Sequence, residues 1–433
     1  MKLSEITLKN FRGIHELDIQ LNEKSTVFFG INGVGKSSVL RAVDLLYANI
    51  IGRLAGSSKK LAQMTEDDIM NGKAAAYVSA GFRFRSGEVF SYWRKISRKS
   101  GRKHCAQLRD LIRYFEEQYI TKPYEDADEN LIFPPDQKNM PVFVNYGVNR
   151  LVVDIPLEAA KQKAFEKLNA FDKAIESKID FRALFEWFRL QEDLENQQKV
   201  RSEKGMEYEN RELKAVRTAM TAMLEGFDHI RIERQPLTMM VEKEGVSLNI
   251  NQLSDGEKCT IALFGDLARR LAIANPALES PLDGTGVVLI DELELHMHTQ
   301  WQRKILRVLK ETFPNIQFLV TTHSPQVLGE TGEDYNIITL KKEGMDIIIN
   351  QYDSMYGWDS NAILEERMET PSLSAGIKQL VEKMYEALEA KDYDNAQAYA
   401  DQVDEVTNGR NDSAAKVRIL IAKGRRHEKN RQG

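Results

Sequence analysis

A glycine-rich loop set between an apolar strand and an amphipathic helix constrains this chain more than any other feature. Residues 30–37, GINGVGKS, match GxxxxGK[ST] in full. They follow the apolar run STVFF (25–29) and open SSVLRAVDLLYANIIGRL (37–54), where Val39, Leu40, Val43, Leu46 and Tyr47 recur at helical spacing. A strand, a tight loop and a helix in that order belong to an α/β sheet. Backbone N–H groups freed around Gly30, Gly33 and Gly35 can cradle phosphate oxygens, with the helix N-terminus behind them. Lys36 is then placed for the β- and γ-phosphates and the Ser37 hydroxyl for Mg²⁺. The segment carrying Gly30, Asn32, Gly33, Val34, Gly35, Lys36, Ser37 and Ser38 is therefore assigned to the phosphates of a nucleotide with Mg²⁺.

A second passage supplies the other half of such a site. VVLIDE (287–292) reads as a buried parallel strand that ends in Asp291, a carboxylate at the sheet edge that can hold Mg²⁺. Glu292, next along, is placed to orient or deprotonate an attacking water. IQFLVTTHS (316–324) is another buried strand, and LSDGEK (253–258) opens a long helix with Ser254 or Asp255 as its cap. Between these lie a hairpin at 76–97, a strand at PVFVNYG (141–147) and more strands across 230–250. Residues 156–226 are charged and helical, with aromatics at Phe181, Phe185, Trp187 and Phe188. An antiparallel helix pair drawn from them would reach only about 50 Å, so no long coiled-coil arm is present.

Composition narrows the class by exclusion. Acidic residues outnumber basic ones 65 to 60, so nucleic-acid contact would need local patches. The basic candidates are 94–113 (Arg94, Lys95, Arg98, Lys99, Arg102, Lys103, Arg109, Arg113) and the tail 416–433. The alternative for each is a solvated loop or a frayed end. Cys105 and Cys259 belong to no CxxC pattern, which excludes a disulfide scaffold and fits a reducing compartment. No run of 18 apolar residues occurs, and the N-terminus alternates like a strand. The expectation is a cytoplasmic protein with no membrane partner.

The order LKNFRG, GINGVGKS, LSDGEK, VVLIDE and TTHS resembles the ABC-type ATPases of the SMC and RecF class. The resemblance makes the nucleotide ATP and implies an ABC-type head, a mixed or parallel sheet with helices, carrying a helical insertion and a helical C-terminal hairpin. It implies that LSDGEK is the signature motif meeting nucleotide bound by the opposite subunit, through Ser254, Gly256 and Glu257. It also implies that His323 senses the γ-phosphate and that Phe11 and Arg12 lie beside the nucleotide. TEDDIMNGK (65–73) lies where that class carries a glutamine loop, and neither Gln63 nor Asp68 is assigned to it.

A closer similarity is to bacterial anti-phage defence ATPases, the group that includes PtuA of Septu, AriA of PARIS and the ATPase half of the OLD nucleases. IDELELHMHTQWQ (290–302), PVFVNYGVNR (141–150) and FRALFEWF (181–188) carry it, with Met297 and Thr299 departing from that group's pattern. This implies an ATP-dependent homodimer, higher assembly and a separate effector, a nuclease or toxin. No nuclease is expected in the chain itself. KKEGMDIII (341–349) reads as a hairpin, and the seven histidines form no nuclease pattern. His296 and His298 are assigned to a subunit-contact loop in preference to a metal. Alternative readings are a RecF-like DNA clamp without an effector and an assembly scaffold with vestigial turnover. The expected division is an N-terminal lobe (1–155), a helical insertion (156–228), a C-terminal lobe (229–350) and a helical C-terminal region (351–433).

Overall fold

The computed structural model describes all residues except 55–61, 105–106, 122–123, 126–130, 133–137, 151–165, 202–207, 345, 369 and 433. Cys105 and the expected boundary at 155/156 lie outside the described residues.

In chain order, β1 (Lys2–Phe11) and β2 (Ile14–Gln20) form an antiparallel pair, and the fully buried β3 (Ser25–Phe29) delivers the glycine loop to α1 (Lys36–Leu54). β4 (Ala75–Arg83), β5 (Val89–Ser97) and β6 (Gly101–His104) follow as a meander, with α2 (Gln107–Tyr119) packed against it. The short β7 (Tyr124–Glu125) and β8 (Leu131–Ile132) precede β9 (Val142–Tyr146). Next come α3 (Phe181–Arg201), α4 (Arg211–Thr221) and a meander of β10 (Phe227–Arg234), β11 (Leu237–Lys243) and β12 (Val246–Asn249). Helix α5 (Asp255–Ala274) leads to β13 (Gly286–Ile290), α6 (Thr299–Thr312), β14 (Ile316–Thr322) and the one-turn α7 (Pro325–Leu328). A hairpin of β15 (Tyr335–Glu343) and β16 (Asp346–Tyr352) closes this part.

The site rests on a six-stranded sheet ordered β16-β15-β3-β14-β13-β9. All its pairs are parallel except β15 with β16. Strands β3, β9, β13 and β14 are buried along their whole length, which is why they read as continuous apolar runs. Parallel register aligns their C-terminal ends, so the loops after β3, β13 and β14 emerge together, where α/β sheets place ligands. A second, antiparallel sheet is ordered β2-β1-β4-β5-β6. Gln317, buried in β14, ties the two: its Nε2 donates to the Leu3 and Lys24 carbonyls, and its Oε1 accepts from the Leu3 N–H at 2.7 Å. A buried amide needs all three partners, and the fold supplies them.

The aromatic stretch at 181–188 forms the buried face of α3. Its next turns carry Glu192 and Glu195, which accept from Arg217 of α4 at 3.0 and 2.8 Å, while Glu192 also accepts from Arg234 of β10 at 2.7 Å. α4 in turn packs along α5.

The chain forms two compact units, Met1–Asp359 and Ser360–Gly433. The second contains α8 (Ser360–Glu366), α9 (Ala375–Glu389), α10 (Tyr393–Thr407) and α11 (Asp412–Gln432). The expected helical hairpin is α9 with α10, and α11 joins its core through Ala414, Val417 and Ile421. Part of the tail's positive charge is spent inside this unit: Arg418 pairs with Asp401 and Asp404, and Arg425 with Asp394.

Candidate functional site

The loop after β3 and the first turn of α1 wall a cleft of about 240 Å³. Asn32, Gly33, Val34, Gly35, Lys36, Ser37 and Ser38 line it from one side, Glu292 and His323 from the other. Gly35 has φ +104°, and a Cβ there would stand 3.2 Å from Ile14 Cδ1, so both the backbone and the space favour glycine. Gly30 follows β3, and its carbonyl accepts from Lys36 Nζ at 2.8 Å, which donates a second bond to the Ile31 carbonyl at 2.9 Å. Lys36 is thus folded onto its own loop. Burial lowers its pKa to about 8, against the pull of the Asp291, Glu294 and Glu292 charges.

Asp291 stands directly beyond β13, and its Oδ1 accepts from Ser37 Oγ at 3.0 Å and from Thr321 Oγ1 at 2.6 Å. Thr321 Oγ1 in turn accepts the Glu292 N–H at 2.8 Å. One hydrogen-bonded run therefore links α1, β13 and β14, and it ends on Glu292. That residue has φ +49°, a left-handed conformation uncommon outside glycine and asparagine. A hydroxyl facing a carboxylate is a hard-oxygen donor pair of the kind Mg²⁺ takes. With the loop's amides and Lys36, these residues fit a magnesium–nucleotide.

His323 follows β14 and is half-buried. Burial lowers its pKa, and the Lys36 charge adds to that, so the ring is neutral at pH 7. Its backbone N–H donates to Glu294 Oε1 at 2.6 Å. Phe11 is fully buried in β1 and does not line the cleft. Arg12 turns outward, with Nε 2.9 Å from Asp68 Oδ1 and its N–H on the Asp68 carbonyl. Asp68 is buried and also accepts from the Thr65 N–H at 3.0 Å. It therefore serves the loop's own architecture, and Gln63 is exposed.

The signature residues lie apart from this cleft, since none of Ser254, Gly256 and Glu257 lines it. Ser254 caps α5 in a capping box with Glu257. Glu257 is buried and accepts from Lys243 Nζ of β11 at 2.7 Å, in addition to Ser254. A Cβ on Gly256 would come within 2.4 Å of the His296 carbonyl oxygen, so this glycine lets the loop after β13 lie against the helix start. Ser254 and Asp255 are the exposed members. His298 is the N-cap of α6, and His296 contributes its carbonyl to the Gly256 contact.

Three further residues, to which motif reading assigned no role, join the site. Thr321 bridges Asp291 and Glu292, and Glu294 holds the His323 amide. Arg150 is 3 % exposed and donates from Nη2 to the Glu292 carbonyl at 2.5 Å. Each stood inside a quoted segment, but only long-range packing gives it a partner.

A family model described as an AAA domain matches residues 5–225, and a second AAA-domain model, which also carries the AbiEii toxin, Type IV TA system, in its name, matches 122–329. The Retron Ec83 probable ATPase of Escherichia coli is 29 % identical over 396 residues, covering 79 % of this chain and 72 % of that one. The Retron Vc95 probable ATPase of Vibrio cholerae serotype O1 biovar El Tor is 30 % identical over 385 residues, covering 78 % and 73 %. The Septu protein PtuA of Bacillus mycoides (strain KBAB4) is 25 % identical over 377 residues, covering 84 % of this chain and 44 % of PtuA.

Proposed function

The chain belongs to the AAA-domain family and to that of the retron ATPases, and on that premise we propose that it binds ATP with Mg²⁺, dimerises around it and hydrolyses it to control a separate effector in anti-phage defence. The observation that carries the reading is the run Ser37–Asp291–Thr321–Glu292, which joins the phosphate loop to a carboxylate in the same cleft.

Ser37 and Asp291 would hold Mg²⁺, which when bound supplies charge neutralisation at the β- and γ-phosphate oxygens. Lys36 exchanges its two loop carbonyls for phosphate oxygens, joined by the amides of loop 30–35 and the first turn of α1. Glu292 orients water and takes its proton. His323, neutral and beside Lys36, hydrogen-bonds the terminal phosphate. Ser254 and Asp255, exposed at the start of α5, offer a helix N-terminus to the nucleotide of a second copy, so each site is completed by its partner.

The effector is a nuclease or toxin, and assembly proceeds beyond the dimer. Lys95, Lys99, Arg102, Arg109 and Arg113 are exposed and available to nucleic acid. No helix among the described residues is long and apolar enough to cross a membrane, and the cytoplasm is the proposed compartment.

Native mass spectrometry of tagged Glu292→Gln protein, expressed from its own locus and purified in ATP, tests this. An ATP-dependent dimer or higher assembly with a stoichiometric nuclease or toxin is the expected result. A homodimer carrying only DNA overturns the defence reading in favour of a RecF-like clamp. A monomer insensitive to ATP overturns the shared site.

A further inference from the structure

We propose that Arg150 is a positioning residue that holds the Glu292 backbone in its left-handed conformation and ties that loop to the signature helix. The inference rests on the assignment of Glu292 as the hydrolytic base.

Glu292 is clamped on both of its peptide groups. Its N–H is fixed by Thr321 Oγ1, and its carbonyl accepts from Arg150 Nη2. A left-handed glutamate is strained, and such a backbone persists where its surroundings over-determine it. Arg150 stands just beyond β9, which runs parallel beside β13, and the Asp291 N–H donates to the Tyr146 carbonyl at 2.9 Å. The side chain therefore reaches the loop from a neighbouring strand end that is itself anchored.

The other side of the same residue meets α5. The Arg150 carbonyl accepts from Cys259 Sγ at 3.4 Å, one turn into the helix that Ser254 caps. Arg150 thus contacts both the loop bearing Glu292 and the helix bearing the signature.

Packing alone does not account for a guanidinium here. The side chain is almost wholly buried, and Nη1 has no hydrogen-bond partner among the described residues. Burying an arginine without a bonded carboxylate is costly, and an apolar side chain would fill the space without that penalty. Burial pushes the guanidinium's pKa down, while the nearby Glu294, Asp291 and Glu292 charges oppose the shift. The cost is explained if the fork of donors is needed to hold the Glu292 carbonyl.

The test compares the full-length parent with Arg150→Met, Arg150→Lys and Glu292→Gln, reading ATP turnover, affinity for a fluorescent ATP analogue and assembly in ATP. Removing the clamp should lower kcat of Arg150→Met by about 100-fold, the scale of a misplaced general base. Its nucleotide affinity should stay within about threefold of the parent, because ground-state binding is not what the clamp supplies. Like Glu292→Gln, it should accumulate the ATP-bound assembly. Arg150→Lys keeps a single donor nitrogen and should recover about tenfold of the lost rate. If Arg150→Met does not fold, the lysine variant decides by the same split between rate and affinity. Turnover within about threefold of the parent, or affinity falling in step with rate, overturns the proposal. A parent chain with no ATP turnover fails the function reading itself, and this inference with it. That outcome is distinct from an active parent and an indifferent Arg150→Met.

Discussion

The Ser37 hydroxyl meets Asp291 Oδ1 at 3.0 Å, joining two residues 254 positions apart. Nothing local favours that approach. It exists because β3 and β13 flank β14 in parallel and end two residues apart along it, Phe29 opposite Thr322 and Ile290 opposite Val320. The two side chains therefore act as a unit, and their removal should not be additive. Ser37→Ala and Asp291→Asn should each raise the Mg²⁺ needed for half-maximal ATP turnover by about tenfold, and the double variant should lie close to the worse single one. A Mg²⁺ titration of activity checks this, and simple additivity would count against a shared metal.

Lys36 gives the site a pH dependence whose sign is fixed. Its pKa near 8 belongs to the nucleotide-free state, and phosphate favours the protonated ammonium. Below pH 8 the lysine is already charged, so ATP affinity should be flat. Above pH 8 binding must take up a proton, and affinity should fall by about tenfold per pH unit until the ordinary lysine range is reached. Isothermal titration at several pH values in buffers of different ionisation enthalpy would reveal that uptake. Lys36→Met should lose most of the binding and keep no such slope.

The contact between Gly256 and the His296 carbonyl predicts an intolerant position outside the lining of the nucleotide cleft. A Cβ at 2.4 Å from a backbone oxygen cannot be relieved by a rotamer change. Gly256→Ala should cost about 2 kcal/mol in thermal or urea unfolding, within the usual range for overpacking. It should also lower turnover, because the displaced loop carries Glu292. A variant with unchanged melting and unchanged rate would show that the loop yields freely.

A buried ion cluster sets the acid limit of stability. Asp266 accepts from Arg269 and Arg270 at 2.7 Å each and from the Tyr146 hydroxyl at 2.9 Å, and all of these side chains are buried. Burial alone would raise its pKa, but the two guanidiniums, Arg270 foremost, hold it down to about 2. A depressed carboxylate pKa stabilises the fold above the unfolded value of 3.8, and that contribution is lost as pH falls from there through 2. Asp266→Asn leaves two buried cations without a counter-charge and should cost about 3–5 kcal/mol in urea unfolding at pH 7. Tyr146→Phe removes one hydrogen bond and should cost about 1 kcal/mol.

The parts of this molecule that repeat a local rule were open to sequence reading. The apolar runs became β3, β9, β13 and β14, the 341–349 turn became a hairpin, and Ser254 is the cap of α5. The resemblance to defence ATPases agrees with the retron and Septu relatives. What stayed hidden depends on which distant strands meet. The basic run at 94–113 looks uniform in sequence, yet alternation along β5 turns Arg94 inward to bond the Leu45 carbonyl, while Arg98 pairs with Glu66 at 3.0 Å. Arg150 and Glu294 gain their partners across 142 and 29 residues, separations that carry no periodic trace.

The left-handed backbone at Glu292 sets comfort against chemistry. Asparagine or glycine would occupy that conformation at less cost, and either would leave the Thr321 and Arg150 clamps with the same peptide groups to grip. A copy of this chain released from selection for turnover has a downhill route in stability at one codon. Descendants that keep the architecture as a nucleotide-free scaffold should accumulate asparagine or glycine at position 292, and the costly arginine at 150 should then give way to an apolar side chain. In a collection of such sequences, that pair of positions would separate working motors from fossils more cleanly than the glycine loop, which folding alone helps to preserve.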